Sequence, residues 1–211
     1  MMELDKIKEV FRNRKSKMFD IQRHYAVFVP LVIVAGKPHI LYQVRSDTMK
    51  RQPGEISFPG GKVEEGESFK QAAIRETCEE LGVEEEQLEV IGELDFLLNT
   101  FSDMIYPFLG FIKNFDIKKL NISKDEVQEI FTVPLSYFLT NKPQVYDMSY
   151  RADISEEFPF HKIKNGASYQ QRTMTYPVYF YEYDNYIIWG LTAKITRNLV
   201  KELVQACIER K

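Results

Sequence analysis

The chain opens with apolar residues at the spacing of an α-helix. Residues three or four positions apart share one helical face, and this spacing is shown by Leu4, Ile7, Val10 and Phe11. We predict a short amphipathic helix within residues 1–20, packed on a single domain that occupies residues 21–211. Near the other end, a stripe from Ile195 to Cys207 at four-residue intervals predicts a longer C-terminal helix.

Apolar runs bounded by turn residues predict strands. The predicted strands cover residues 25–34, 39–44, 88–97, 104–112, 177–183 and 186–189. The first two are joined by a turn at residues 36–38, the middle two form an antiparallel pair, and the last two form a hairpin around residues 184–185. A short helix over residues 133–139 is entered through Pro134. Residues 145–168 have the least interpretable pattern and are expected to be irregular and mobile.

One helix has readable ends. Ser68 can cap its N-terminus and Gln71, three residues on, completes a capping box. Gly82 stands where a helix needs a left-handed residue to end. The sequence therefore predicts a helix over residues 68–81.

Composition and charge exclude several classes of protein. The net charge of −3 gives no broad basic field for nucleic acid. The longest apolar run, residues 25–35, is too short to cross a bilayer. The two cysteines, Cys78 and Cys207, lack metal-ligand spacing and are expected to be reduced thiols. Without a targeting signal, we expect a cytoplasmic protein that binds neither nucleic acid nor membrane, as a monomer or homodimer.

Three carboxylates share one face of the predicted helix. Glu76, Glu79 and Glu80 stand at offsets of zero, three and four. Like charges at this spacing destabilise a helix by roughly a few tenths of a kcal/mol per pair, and a cation between them reverses the sign. Mg²⁺ takes oxygen ligands and keeps water and substrate phosphates in its shell. Taken alone, the same pattern is also typical of a solvated acidic helix face.

The surroundings of these glutamates favour a metal site. The stretch resembles the Nudix box, G-x5-E-x7-R-E-U-x-E-E-x-G-U with U apolar, and eight of the nine specified positions match. The positions are Gly61, Glu67, Arg75, Glu76, Thr77, Glu79, Glu80, Gly82 and Val83. The one departure, Thr77, keeps a methyl group at an apolar position.

The resemblance implies a fold and a metal. The Nudix fold is an α/β/α sandwich, with a mixed β-sheet between helices and the box forming a loop-helix-loop. Glu76, Glu79 and Glu80 are then expected to hold Mg²⁺, with Mn²⁺ as the alternative, for hydrolysis of a pyrophosphate.

Further residues receive roles from the same resemblance. Arg75 and Glu67 are expected to pair and to fix the loop against the helix. The base stays open among Glu76, Glu126 and Glu129, and for the last two an exposed helix start is the alternative reading.

A second resemblance concerns the substrate. Residues 41–61 are similar to the coenzyme A pyrophosphatase signature, L-L-T-x-R-[SA]-x3-R-x3-G-x3-F-P-G-G, and residues 188–193 also resemble this subfamily. The positions that match are Arg45, Ser46, Gly54, Phe58, Pro59, Gly60 and Gly61; Tyr42, Gln43 and Lys50 depart, and Arg51 follows Lys50.

This resemblance implies a nucleotide substrate, coenzyme A or a derivative, cleaved to 3′,5′-ADP and 4′-phosphopantetheine or its derivative. The expected substrate-binding residues are Arg45, Ser46, Lys50, Arg51, Phe58, Gly60 and Gly61. The two glycines let the backbone approach metal and phosphate, and the cations suit the 3′-phosphate. The alternatives are a pyrophosphatase for ADP-ribose or NADH, a triphosphatase for damaged nucleotides, and a non-catalytic nucleotide sensor. The aromatic hairpin over residues 177–189 is interpreted as core and edge packing, with a platform for pantetheine or adenine as the alternative.

Overall fold

The computed structural model describes residues 4–100, 102–166 and 173–209. The helices are α1 Leu4–Arg12, α2 Phe69–Leu81, α3 Leu135–Thr140 and α4 Gly190–Glu209. The strands are β1 Arg23–Val34, β2 Lys37–Arg45, β3 Ile56–Ser57, β4 Gly60–Lys62, β5 Leu88–Glu93, β6 Leu97–Leu98, β7 Asp103–Ile112, β8 Val127–Pro134, β9 Gln144–Tyr150, β10 Met174–Tyr183 and β11 Tyr186–Trp189.

The larger sheet is mixed, as expected. Strands β1 and β7 run parallel, from Arg23 opposite Asp103 to Leu31 opposite Phe111, and the other pairs are antiparallel. Strand β2 pairs with β1 and then with β3 along one of its edges, and with β8 along the other edge. A second, three-stranded sheet has the order β11-β10-β9.

Two apolar layers hold helices against opposite faces of the larger sheet. One layer joins alternate residues of β1 and β2, such as Phe28 and Leu41, to Ala72, Ala73 and Leu81 of α2. The other joins Tyr42 and Phe131 to α3, the second sheet and α4. Because successive strand residues point to opposite faces, the α/β/α architecture is confirmed.

The predicted α2, its two caps, the β10–β11 hairpin and α4 are all present. Two strands differ from expectation. Residues 127–134 form β8, because the whole segment pairs with β2, and only residues 135–140 continue as helix. Residues 144–150 form β9 against β10, so the expected irregular stretch begins only after Tyr150, and its end at residues 167–168 lies outside the described residues.

Helix α1 is present with none of its residues buried. Its apolar residues Leu4, Val10 and Phe11 are each more than half exposed. Residues 1–3, 210 and 211 lie outside the described part of the chain. The division at residue 20 and the packing of this helix on the domain stay predictions.

Candidate active site

Helix α2 is built from local signals in its own sequence. Ser68 accepts a hydrogen bond from the Gln71 backbone N–H, and the Gln71 side chain accepts one from the Ser68 N–H, which completes the capping box. Gly82 ends the helix at φ 64° and donates its N–H to the Cys78 carbonyl. These caps fix the register of the helix, and with it the direction of its three glutamates.

Strand β4 passes close to this helix because its first two residues have no side chains. A Cβ on Gly61 would overlap the Glu76 carboxylate, and one on Gly60 would overlap the backbone of β1 at Ala26. The Gly60 N–H also donates to Glu80 Oε2 at 3.0 Å. The close backbone approach expected of these glycines is therefore present, and it is directed at the glutamate face.

Arg75 joins the loop before α2 to the helix. Its Nη2 lies 2.9 Å from Glu67 Oε1 and its Nε 3.2 Å from Glu67 Oε2. Its Nη1 donates to Glu76 Oε1 at 2.9 Å and to Glu79 Oε2 at 3.2 Å. The hydrogen bond from Arg75, then the N–H of Glu64, lower the pKa of Glu67. The forked guanidinium thus forms the expected pair with Glu67 and also holds the Glu76 carboxylate in place.

Glu80 is a buried carboxylate, with 3% of its surface exposed. Its Oε2 accepts hydrogen bonds from Gln43 Nε2 at 2.9 Å and from Gly60 N. Burial raises the pKa of Glu80 to about 7, against these two hydrogen bonds, which lower it. No ion pair to Glu80 is formed within the described part of the chain, so nothing there neutralises its charge.

Glu76 and Glu126 carry charge beside Glu80. Burial raises the pKa of Glu76, with Arg75 opposing, and the charges of Glu79 and Glu126 raise it further. The charges of Glu76 and Glu126 likewise raise the pKa of Glu80. Three carboxylates, from α2 and from the turn before β8, therefore share one negative field. Glu79 lies at its edge, with its side chain 56% exposed.

The donor chemistry of this cluster fits a hard divalent cation. The groups are carboxylate oxygens, and burial raises the pKa of Glu76 and Glu80, so that a cation placed beside them would favour their charged forms. Among the described residues, no three acidic, histidine or cysteine side chains converge closely enough to hold a metal ion by themselves. A cation here would thus take much of its shell from water and substrate phosphates, as Mg²⁺ does.

The predicted substrate loop begins beside this cluster. The Ser46 N–H donates to the Glu126 carbonyl at 2.9 Å, and Ser46 is buried. Arg45 is half-buried, with Nη2 on the Arg51 carbonyl at 3.4 Å and with a buried Nε that has no partner. Lys50 and Arg51 are exposed. One end of the loop is therefore hydrogen-bonded to the backbone of Glu126, and its two exposed cations are Lys50 and Arg51.

Two of the predicted site residues lie away from the cluster. Phe58 is 4% exposed and stacks on Tyr42 in the core, so it supports the loop from beneath. Glu129 lies opposite Val44 on β2, whereas Gln43 and Glu80 are on the other face of the sheet. The structure thus brings Glu126, and not Glu129, to Glu76 and Glu80.

Sequence reasoning missed the role of Gln43. This residue entered only as a departure from the coenzyme A signature, yet it is fully buried and holds Glu80. A signal was available, because a lone polar residue within the apolar run Ile40–Val44 needs a hydrogen-bond partner. Its partner could not be inferred from the sequence, since it lies 37 positions away on α2.

The family model of the NUDIX domain matches residues 22–151. The chain is 35% identical to the peroxisomal coenzyme A diphosphatase NUDT7 of Mus musculus over 173 residues, which are 81% of this chain and 66% of that protein. It is 33% identical to the mitochondrial coenzyme A diphosphatase NUDT8 of Mus musculus over 180 residues, 84% of this chain and 77% of that protein. The match thus spans just under two thirds of the first relative's length.

Among solved structures, a MutT/nudix family protein from Enterococcus faecalis aligns with a TM-score of 0.50 at 14% identity. The alignment covers 98% of this chain and 70% of that one. At this identity the likeness concerns the fold alone. In the residues described, no helix is both long enough and apolar enough to span a bilayer.

Proposed function

From the premise that this chain belongs to the Nudix family, we propose that it is a metal-dependent hydrolase that cleaves the pyrophosphate of coenzyme A or a derivative. The products are 3′,5′-ADP and 4′-phosphopantetheine or its derivative. Support for the substrate comes from residues 41–61 and from relatives that carry the name coenzyme A diphosphatase.

The observation that carries the proposal is the junction between the carboxylates and the substrate loop. Glu76, Glu80 and Glu126 share one field, and Ser46, the first residue of the loop, donates its N–H to the backbone carbonyl of Glu126. A pyrophosphate bound at the carboxylates through a cation would therefore have Arg45 and the loop cations beside it. In this proposal the charges that the substrate requires would lie next to the bond that breaks.

Glu76, Glu79 and Glu80 would hold the ion, Mg²⁺ or alternatively Mn²⁺. A divalent cation there neutralises the pyrophosphate and lowers the pKa of a bound water. Arg75 orients the Glu76 carboxylate through Nη1, while its contacts to Glu67 fix the preceding loop. Gln43 and the Gly60 N–H hold Glu80 Oε2, which leaves Oε1 for the ion.

The carboxylate that takes a proton from the attacking water is proposed as Glu76 or Glu126. Both lie in the cluster, and burial raises the pKa of Glu76 towards neutrality, which favours acceptance of a proton. Glu129 is a weaker candidate because it lies on the other face of the sheet.

ADP-ribose or NADH is the second candidate substrate. A non-catalytic sensor is disfavoured, because it has no need of a buried carboxylate that lacks a counter-ion. A cytoplasmic location stays a prediction; the mouse relatives are named for the peroxisome and the mitochondrion.

The test is a substrate panel with Mg²⁺: coenzyme A, dephospho-coenzyme A, ADP-ribose, NADH and 8-oxo-dGTP. We expect the highest kcat/KM for coenzyme A, with 3′,5′-ADP among the products and no turnover after complete chelation. A higher kcat/KM for ADP-ribose would show that coenzyme A is not the preferred substrate. Turnover after chelation would show that the reaction does not need the metal.

A further inference from the structure

A cavity of about 580 Å³ lies on the opposite face of the sheet from the glutamates of α2. Its wall is formed by the end of the substrate loop, by β3 and β8 and by the β10–β11 hairpin. The principal lining side chains are Val44, Ile56, Glu129, Tyr186 and Trp189. The sequence-based interpretation of this hairpin as packing thus holds for only part of it, because some of its rings border open space.

The aromatic rings of the hairpin are fixed from behind. Tyr186 stacks on Phe131 with ring centroids 3.6 Å apart and planes 1° apart. Trp189 stacks on Phe180 at 5.7 Å and 14°, and it remains 37% exposed. Each outer ring therefore has one face supported by the protein, while the residue itself lines the cavity.

The charge of the cavity selects among the parts of a nucleotide substrate. Glu55 and Glu129 contribute carboxylates, and no lysine, arginine or histidine is found among its described lining residues. Burial, and then the nearby Glu129 carboxylate, raise the pKa of the Tyr186 hydroxyl, and carboxylate lone pairs can accept N–H groups. Such a wall repels phosphate and suits an uncharged chain with amide N–H groups and apolar segments.

The cavity is also within reach of the carboxylate cluster. Glu126 belongs to that cluster and Glu129 to the cavity, and the intervening strand rises roughly 3.3 Å per residue, or about 10 Å in all. The loop from Ser46 to Gly54 joins the two places: Ser46 binds Glu126, and Gly54 lines the cavity. An extended substrate that crosses the end of the sheet along this loop can occupy both.

Resting on the proposed function, we propose that this cavity binds the pantetheine arm of coenzyme A, with Trp189 and Glu129 as its specificity-determining residues. The arm carries two amide N–H donors for Glu129 and Asn185, and methyl groups and a sulfur end for Val44, Ile56 and Trp189. The adenosine end does not suit the cavity, because its 3′-phosphate would lie against two carboxylates. The loop cations Arg45, Lys50 and Arg51 are left for that end.

The single tryptophan of the chain makes the proposal directly measurable. In the wild-type protein with Mg²⁺, 4′-phosphopantetheine should change the tryptophan emission in a saturable way. The other product, 3′,5′-ADP, should leave the emission unchanged over the same range of concentration. A response to 3′,5′-ADP, or to neither product, would overturn the assignment.

Enzyme kinetics give an independent measurement. Trp189→Ala should raise the inhibition constant of 4′-phosphopantetheine and lower kcat/KM for coenzyme A about tenfold, the value of one aromatic contact. The inhibition constant of 3′,5′-ADP should not move. Trp189→Phe keeps a ring on Phe180 and should restore most of the loss, whereas a purely structural defect would shift both inhibition constants.

Tyr150→Ala is the matched control. Tyr150 belongs to the same small sheet and is 39% exposed, but it does not line the cavity. Tyr150→Ala should leave both inhibition constants at their wild-type values. If it raised the inhibition constant of 4′-phosphopantetheine as much as Trp189→Ala does, the proposal would be overturned.

The two proposals fail separately. If coenzyme A is not hydrolysed while 4′-phosphopantetheine still changes the emission, the substrate is wrong and the cavity assignment stands. If coenzyme A is hydrolysed and the emission does not respond, the cavity assignment fails alone.

Discussion

Glu80 is a carboxylate held in the protein interior by two neutral donors. Its pKa of about 7 in the folded chain, against 4.5 for an ordinary glutamate, means that its protonated form is favoured by folding. Its contribution to stability is therefore complete below pH 4.5 and is lost as the pH rises through 7. Above that pH the charged side chain lowers the free energy of unfolding of the metal-free protein by about 3 kcal/mol at most.

Glu80→Gln should remove this pH dependence. In chelating buffer, the melting temperature of the wild type should fall between pH 5 and pH 8, and that of Glu80→Gln should fall less and be higher at pH 8. Turnover with Mg²⁺ should drop by orders of magnitude, because a ligand is lost. The measurements are thermal melts at several pH values and a turnover assay on the same preparations.

Glu79→Gln is the matched comparison on the same helix. This variant should lose turnover as Glu80→Gln does. Because the Glu79 side chain is exposed, the pH dependence of the melting temperature should change little. Removing one of several like charges should leave metal-free stability unchanged or slightly higher. Wild-type turnover in either variant would take α2 out of the mechanism.

Arg75 and Glu67 form a second unit at this scale. Arg75→Ala and Glu67→Ala should each lower kcat/KM, since both disturb the position of Glu76. The double variant should lose little more than either single variant, because the two residues act through one contact. Fully additive losses in the double-mutant cycle would contradict this pairing.

Single residues differed in how far the sequence could place them. The carboxylates of α2 were predictable because helical spacing alone puts them on one face. Glu126 and Glu129 could not be separated, because their directions depend on the pairing of β8 with β2 and on a bulge between Val44 and Arg45. The partnership of Gln43 with Glu80 likewise depends on tertiary docking.

At the scale of elements, we propose that the loop from Ser46 to Glu55, together with Arg45 at the end of β2, selects the nucleotide. Lys50 and Arg51 are exposed, and Arg45 is anchored by its Nη2 to the Arg51 carbonyl. We propose that one of these three cations binds the 3′-phosphate of the nucleotide.

If one of these cations binds the 3′-phosphate, kcat/KM should be about ten- to a hundredfold higher for coenzyme A than for dephospho-coenzyme A. Neutralising that residue, by Arg45→Gln, Lys50→Gln or Arg51→Gln in turn, should erase the preference. Turnover of dephospho-coenzyme A should stay nearly unchanged, because it lacks the group concerned. Equal kcat/KM for both substrates in the wild type would defeat the 3′-phosphate contact.

Elements with local signals were predicted, and those that depend on a partner were not. Helix α2 carries its caps in its own sequence. Strand β9 was missed, although Tyr146, Met148 and Tyr150 alternate with polar residues; none of its seven residues is buried, and its pairing with β10 makes it a strand. Strand β8 begins with acidic residues that also suit a helix start, and its pairing with β2 decides the outcome.

At the scale of the whole molecule, the ion pair of Arg23 and Asp103 joins the starts of β1 and β7. The Arg23 Nε lies 2.7 Å from Asp103 Oδ1, and Nη2 lies 2.9 Å from Oδ2. The hydrogen bond from Arg23 lowers the pKa of Asp103, with burial opposing. Because the pKa of Asp103 is lower in the folded chain than in the unfolded chain, the ion pair stabilises the fold above the unfolded pKa. This stabilisation is lost as the pH falls through the folded pKa.

Asp103→Asn should therefore lower the melting temperature by a few degrees at pH 7 and by less near pH 3. Turnover at a temperature well below melting should be unchanged, because neither residue belongs to the carboxylate cluster. Thermal melts of the two proteins across this pH range provide the measurement. An equal difference at both pH values would show that the ion pair contributes nothing through its charge.

The overall architecture was predictable as a class through the resemblance carried by eight matching positions of the box. The parallel pairing of β1 with β7 was not, since nothing in either strand specifies a partner so far along the chain.

The parallel pair also bears on how quickly the molecule can fold. Its first contact, Arg23 with Asp103, closes 80 residues of chain, and the entropy of closing such a loop must be overcome before the contact is formed. Chains rich in contacts of this separation fold slowly, whereas a capped helix such as α2 can form within its own segment. The folding rate should thus be limited by the pairing of β1 with β7. Helix α2 should form earlier, before the sheet on which it docks.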